Sequence, residues 1–161
     1  MKTLKAFFYF MALIAFSGCV TDAPMVLNQP VGPARSQVGR HEREGGLLVY
    51  SAPALVYPAD SAHPTHTSYT IYDRDGKILR RVDNRSGSFY QAPVAVSLPT
   101  GTYKVKGSVT NYGLVIVPVV IESGRTTILD LDGSTLPQSK PQRDDPWVRL
   151  PDGQVIGNRA N

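Results

Sequence analysis

The chain has 161 residues, of which 42% are apolar and 19% charged, with 14 Gly, 13 Pro and one Cys. This is the composition of one globular domain with raised turn content, which disfavours a helical bundle and excludes a collagen-like repeat. A single Cys excludes an internal disulfide framework and a zinc cluster built on cysteines, and the formal net charge of +4 is modest.

Lys2 and Lys5 precede the apolar run Ala6 to Phe16, and the small residues Ser17 and Gly18 follow. A charged n-region, a short apolar h-region and a small-residue cleavage site together form a secretory signal. As a helix the run would cover about 17 Å of a hydrocarbon core roughly 30 Å thick. Residues 1–18 are therefore predicted to be a cleaved leader rather than a transmembrane helix.

The string Phe16-Ser17-Gly18-Cys19 resembles the bacterial lipobox, in which a lipoprotein signal peptidase cuts before a diacylated cysteine, although Phe16 stands where the family usually has Leu. The resemblance implies lipid attachment at Cys19 and a membrane contact made through that anchor. Several acyl chains on one residue supply the stable anchoring that a single chain does not. Val20 follows the cysteine in place of a retaining Asp, so the resemblance further implies an outer-membrane position in the cell envelope. Without Lys2 and Lys5 the mature chain carries 15 basic against 13 acidic residues. Nucleic-acid binding thereby loses its compositional support.

Residues 19–45, the lipidated Cys and a stretch with Pro24, Pro30, Pro33, Gly32 and Gly39 followed by Arg40-His41-Glu42-Arg43-Glu44, show no sustained period and read as a flexible linker with room for an edge strand. As a coil, residues 20–45 would span roughly 25–30 Å.

Residues 46–133 change character to short runs rich in Val, Ile, Tyr and Thr separated by turn residues, which predicts an all-β domain, a single antiparallel β-sandwich. The first run is Leu47 to Ser51, and a Pro- and Ala-rich loop, residues 53–64, follows it. Ser68 to Asp73 and Lys77 to Val82 flank Asp75-Gly76, a hairpin signal compatible with a two-residue turn or with a longer loop carrying a glycine bulge. Val94, Val96 and Leu98 alternate with smaller residues, and Pro99-Thr100-Gly101 leads into Tyr103, Val105 and Val109 alternating with Lys104, Lys106 and Ser108. After Asn111-Tyr112-Gly113 the run Leu114 to Ile121 is apolar without alternation, as in a strand covered on both faces. Pro118 within it predicts an edge position or a bulge, because proline has no N–H for a ladder. Ser123-Gly124-Arg125 then turns into the closing strand, Thr126 to Leu131. Residues 134–161 form a Pro-rich tail in which Trp147 to Ile156 outlines a small strand, turn and strand around Asp152-Gly153, expected to dock through Trp147 and Leu150.

The stretch Val94 to Leu131 resembles the carboxypeptidase regulatory-like and PEGA families of transthyretin-like, Ig-like sandwiches. The residues that carry this are Leu98-Pro99-Thr100-Gly101-Thr102-Tyr103-Lys104-Val105, the turn Asn111-Tyr112-Gly113, and Val119-Val120-Ile121-Glu122-Ser123-Gly124-Arg125-Thr126-Thr127 with Leu129 and Leu131. The resemblance implies a scaffold or adhesion module and no catalysis; the first half of the chain, with its Asp75-Gly76 hairpin, departs from the pattern.

Chemistry-bearing residues are few. His63 and His66 lack a third ligand, and Asp73 and Asp75 belong to the hairpin rather than to a calcium loop, whose next ligand positions hold Lys77, Leu79 and Arg81. No Ser sits in a nucleophile elbow, and Glu122, Asp130 and Asp132 lie near strand ends where carboxylates are solvated. Neither an enzyme nor a cofactor is implied. Arg74, Lys77, Arg80, Arg81 and Arg85 concentrate positive charge on one hairpin, and Tyr57, Phe89, Tyr90 and Tyr112 fall in or beside loops. Two function classes follow. One is a non-catalytic, lipid-anchored envelope protein whose sandwich contacts another envelope protein. The other is a cell-wall glycan-binding module with Arg74, Lys77, Arg80, Arg81 and Tyr90 as its ligand surface.

Overall fold

The computed structural model describes residues 23–34, 43–56, 63–84 and 93–160, and every regular element among them is a β-strand. In chain order these are β1 (Met25–Val26), β2 (Val31–Gly32), β3 (Glu44–Tyr50), β4 (Pro53–Val56), β5 (His63–His66), β6 (Tyr69–Tyr72), β7 (Ile78–Val82), β8 (Val96–Pro99), β9 (Gly101–Val109), β10 (Gly113–Ile121), β11 (Thr126–Asp130), β12 (Trp147–Arg149) and β13 (Val155–Arg159). A large sheet runs β12-β13-β2-β10-β9-β6-β7, with β1 also on β10; a small sheet runs β11-β3-β8; β4 and β5 form a separate ribbon.

The fold is all-β and sandwich-like, as the strand pattern predicts. Both sheets are mixed rather than purely antiparallel: β3 and β11 run parallel, as do β1 and β2 with β10, while the hairpins supply the antiparallel ladders. A half-buried strand alternates in the same way whichever direction its neighbour runs, so the periodicity carries no information on this point. Met25–Val26 and Val31–Gly32, inside the stretch read as linker, are built into the large sheet, and Val31 is fully buried.

The core lies between the sheets. Ile71, Val105, Val115, Val117 and Val119 face Leu47, Val49, Val96 and Leu129 across it, all within 1% of complete burial. The apolar run of β10 does alternate in burial: Val115, Val117, Val119 and Ile121 are buried while Ile116, Pro118 and Val120 are half-buried. Pro118 occupies a strand paired on both sides, and its ladder with β9 has no register shift. The Ile116 carbonyl accepts the Leu27 N–H on the side facing β1, at 2.9 Å. Residues two apart point their backbone groups the same way, so the Pro118 nitrogen faces the interruption between β1 and β2, where a ladder donor is not needed. The break in the neighbour does the work expected of an edge or bulge.

The hairpin between β6 and β7 takes the longer-loop form. Gly76 N–H donates to the Asp73 carbonyl (3.2 Å) and Asp73 N–H to the Lys77 carbonyl (2.9 Å), while Asp73 Oδ1 accepts from Asp75 and Lys77 amides at 3.0 and 2.8 Å. Gly76 takes φ 85°, the left-handed conformation that follows a type I turn in such loops. At Gly45 the reason for glycine is space: a Cβ there would overlap the Glu122 carbonyl oxygen and sit 2.9 Å from that of Arg125.

The tail packs through β13, which pairs with β2, and through Val148, Leu150, Val155 and Ile156, all buried. Leu150 plays its expected part; Trp147 stays half-buried.

Candidate functional site

Strand register places two cross-strand rows on the outward face of the large sheet. The first runs Val26, Ile116, Lys106, Thr70, Arg81 across β1, β10, β9, β6 and β7. The second runs Pro118, Lys104, Tyr72, Ile78. With strands about 4.8 Å apart, the first row is about 19 Å long. No Asp or Glu occupies either row. Apolar side chains are exposed among the cations, with Val26 at 61%, Ile78 at 45% and Leu114, which pairs with Ser108 in the same phase, at 43%. An open depression of about 300 Å³ lies where β1 ends, lined by Val26, Leu27, Asn28, Lys104, Ile116 and Pro118.

Ion pairs between described residues join His66 to Asp132, Arg125 to Glu122 and Arg149 to Asp145, and none of them uses Lys104, Lys106 or Arg81. Among the described residues, then, no ion pair holds the cations of the outward face; exposed Asp83 closes the neighbouring row that contains Leu114 and Ser108, and accepts the Ser68 hydroxyl at 3.2 Å.

The structure divides the basic cluster predicted from the sequence. Arg81 joins the outward row, whereas Arg80 pairs across from Ile71 on the opposite face and bears on the Tyr69 phenol. Burial raises that phenol well above the ordinary tyrosine value, and the Arg80 charge offsets part of the rise. Arg74 and Lys77 are exposed at the hairpin tip. Arg74 borders a second depression, about 780 Å³, with Asp73, Gly101, Thr102 and Tyr103. Cys19, Tyr57, Arg85, Phe89 and Tyr90 lie outside the described residues; Tyr112 packs against the core. Lys104 and Lys106, which the alternation marks only as outward positions, are the residues that the basic-hairpin reading missed. Their meeting with Arg81 depends on the pairing of β6 with β9, and strands so far apart in the chain leave no local signal of it.

A second polar cluster sits at the end of β11. Asp130, expected to be solvated at its strand end, is instead fully buried, because its Oδ1 accepts the Gly133 N–H (2.8 Å) and its Oδ2 the Thr135 and Leu136 amides (3.0 and 2.7 Å). Burial pushes the Asp130 carboxyl above the ordinary carboxylate range against the pull of the Leu136 and Thr135 amides, and Asp132 beside it adds to the rise. His66 Nδ1 lies 3.0 Å from the Ser51 carbonyl oxygen and 3.5 Å from Asp132 Oδ2. The Ser134 hydroxyl donates to Asp132 Oδ1 at 2.6 Å, so the acid stands between serine and histidine. Nucleophilic catalysis needs the histidine in that middle position. The carboxylates of this corner organise a turn. Among the described residues no group of three or more His, Cys, Asp or Glu side chains is placed to hold a metal ion.

Comparison with protein-family models, curated proteins and solved structures returned no significant match.

Proposed function

We propose that the chain is a non-catalytic, lipid-anchored protein of the bacterial cell envelope, held by acylated Cys19 in the outer membrane, whose β-sandwich works as an interaction module through the outward face of its large sheet. The observation that carries this reading is the acid-free row of Lys106, Thr70 and Arg81 beside Lys104, with exposed Val26 and Ile78 at its margins. Rows that only needed to be soluble would mix both signs of charge, whereas here the acid, Asp83, stands outside them at the end of the next row. The same reading treats the body as a transthyretin-like module of the carboxypeptidase regulatory-like and PEGA kind, and the β9–β10 hairpin with Tyr103 bonded to the Pro99 carbonyl at 2.9 Å supports it.

A second reading, a cell-wall glycan-binding module, is favoured by the depression at Asp73, Arg74, Thr102 and Tyr103, which combines hydrogen-bonding groups with an aromatic ring. Membrane fractionation and intact mass separate the parts. The anchored reading expects wild-type protein in the membrane fraction with an acylated N-terminal Cys19, and Cys19→Ser in the soluble periplasmic fraction. An unmodified mature terminus contradicts it. Retention on purified peptidoglycan that is lost in Arg74→Glu would favour the glycan reading.

A further inference from the structure

The geometry points to a docked orientation: the outward face of the large sheet lies flat on the anionic phospholipid leaflet that holds the acyl chains of Cys19. This deepens the anchored reading and rests on it. Three observations converge.

The tether is short. Six residue steps separate Cys19 from Met25 in β1, and fully extended they reach at most about 22 Å. A coil running on to residue 45 would span roughly 25–30 Å, whereas six steps of coil span about 13 Å, so a chain that enters the sheet at Met25 holds the body near the headgroups.

The tether also enters at the right place. β1 terminates the first outward row, and Val26 shares that face with Ile116. The described chain thus begins on the strand that carries Val26, at the end of this face.

Finally, the chemistry is two-fold. Arg81, Lys104 and Lys106 have no carboxylate partner between described residues, and phosphate headgroups supply one. Exposed Val26, Ile78 and Leu114 belong at the boundary of headgroups and acyl chains, with lysine stems lying along the sheet and their ammonium groups among the phosphates. A neutral glycan leaves the cations unanswered, and a soluble polyanion leaves the apolar side chains unanswered.

The test uses the full mature protein purified from membranes and reconstituted into phosphatidylcholine vesicles with or without phosphatidylglycerol. Acylation blocks the thiol of Cys19, so a dye attached at Val26→Cys, or at Ser97→Cys on the small sheet, reports one position at a time. Brominated lipids are expected to quench the dye at position 26 on the anionic vesicles and to spare the dye at 97. Each cation neutralised is expected to weaken the apposition about fivefold, and each cation reversed about twenty-five-fold. Lys104→Glu with Lys106→Glu should therefore lose the quenching while still floating with the vesicles, and the two Lys→Arg changes should retain it. Equal quenching at both positions, or quenching indifferent to phosphatidylglycerol and to the reversals, overturns the proposal. So does an absence of quenching combined with peptidoglycan retention that requires the same lysines, which would give the face to a wall polymer. Protein that does not float at all removes the anchor itself and, with it, the short tether.

Discussion

At the corner where β11 meets the tail, Asp130 gives both carboxylate oxygens to backbone amides, and Arg149 bonds Asp145, the Ser139 carbonyl and the Gly153 carbonyl at 2.6, 2.8 and 2.9 Å. On the outward face of the large sheet, Lys104, Lys106 and Arg81 sit in ordered rows with no ion-pair partner among the described residues. The first arrangement is what folding demands of charge, since a buried or half-buried ion left unpaired is costly. The second contributes little to folding, and under the proposed docking its partners are phosphate headgroups. Removal of a corner charge should therefore cost stability, and removal of a face charge should cost association.

Asp130→Ala is expected to be the most damaging change, because it strands three buried-side amides at about 1–3 kcal/mol each, a loss on the order of 3 kcal/mol or more by chemical denaturation. A loss under about 1 kcal/mol would mean that the turn at residues 130–136 is held by other contacts. Arg149→Ala should follow, at roughly 1–3 kcal/mol, since it frees the Ser139 and Gly153 carbonyls together.

The two aspartates should also differ in their dependence on pH. The hydrogen bond from Arg149 holds the Asp145 carboxyl below the ordinary value of 3.8. A carboxyl depressed in the folded state is protonated more readily in the unfolded chain, so its contribution is complete at neutral pH and is lost as pH falls through the carboxylate range. The Tm gap between wild type and Asp145→Asn should accordingly close in acid. Asp130 works in the opposite direction: its raised folded value means that the native state takes up the proton first, and its own contribution declines as pH rises from 3.8 through that value. A gap at position 145 that widens in acid would show that Arg149 does not stabilise the ionised form.

The smallest stability effect belongs to the face. Lys104→Glu with Lys106→Glu should change folding stability by no more than about 0.5 kcal/mol per site while removing the vesicle apposition. Loss of the fold in this variant, read by circular dichroism, would place the two lysines with the corner charges and erase the contrast.

Much of the sandwich was legible in the chain. The alternation of Tyr103, Val105 and Val109 against Lys104 and Lys106 marked β9 and its two faces, and Asp75-Gly76 marked the hairpin. Local signals did not extend to which strands meet. The parallel ladder of β3 with β11 joins residues some eighty apart, from Gly46 with Thr126 to Tyr50 with Asp130, and no turn chemistry announces it. Pro118 was legible as an anomaly but not in its solution, because the missing N–H is excused by a break in a neighbouring strand assembled from residues 25–32. Those residues resemble a linker for a simple reason: strands two residues long leave no measurable period. The sequence gathers the basic residues on one hairpin, yet Arg80 and Arg81, as adjacent strand residues, face opposite ways.

Acylation of native lysines, read by mass spectrometry on the reconstituted protein, distinguishes a body docked on its outward face from one that tumbles on its tether. On anionic vesicles Lys104 and Lys106 should be protected relative to detergent micelles, while exposed Lys140, beside the Ser139 that Arg149 holds at the opposite edge of the sheet, should react equally in both. Equal reactivity of all three lysines in vesicles and micelles would contradict a body that lies on its outward face.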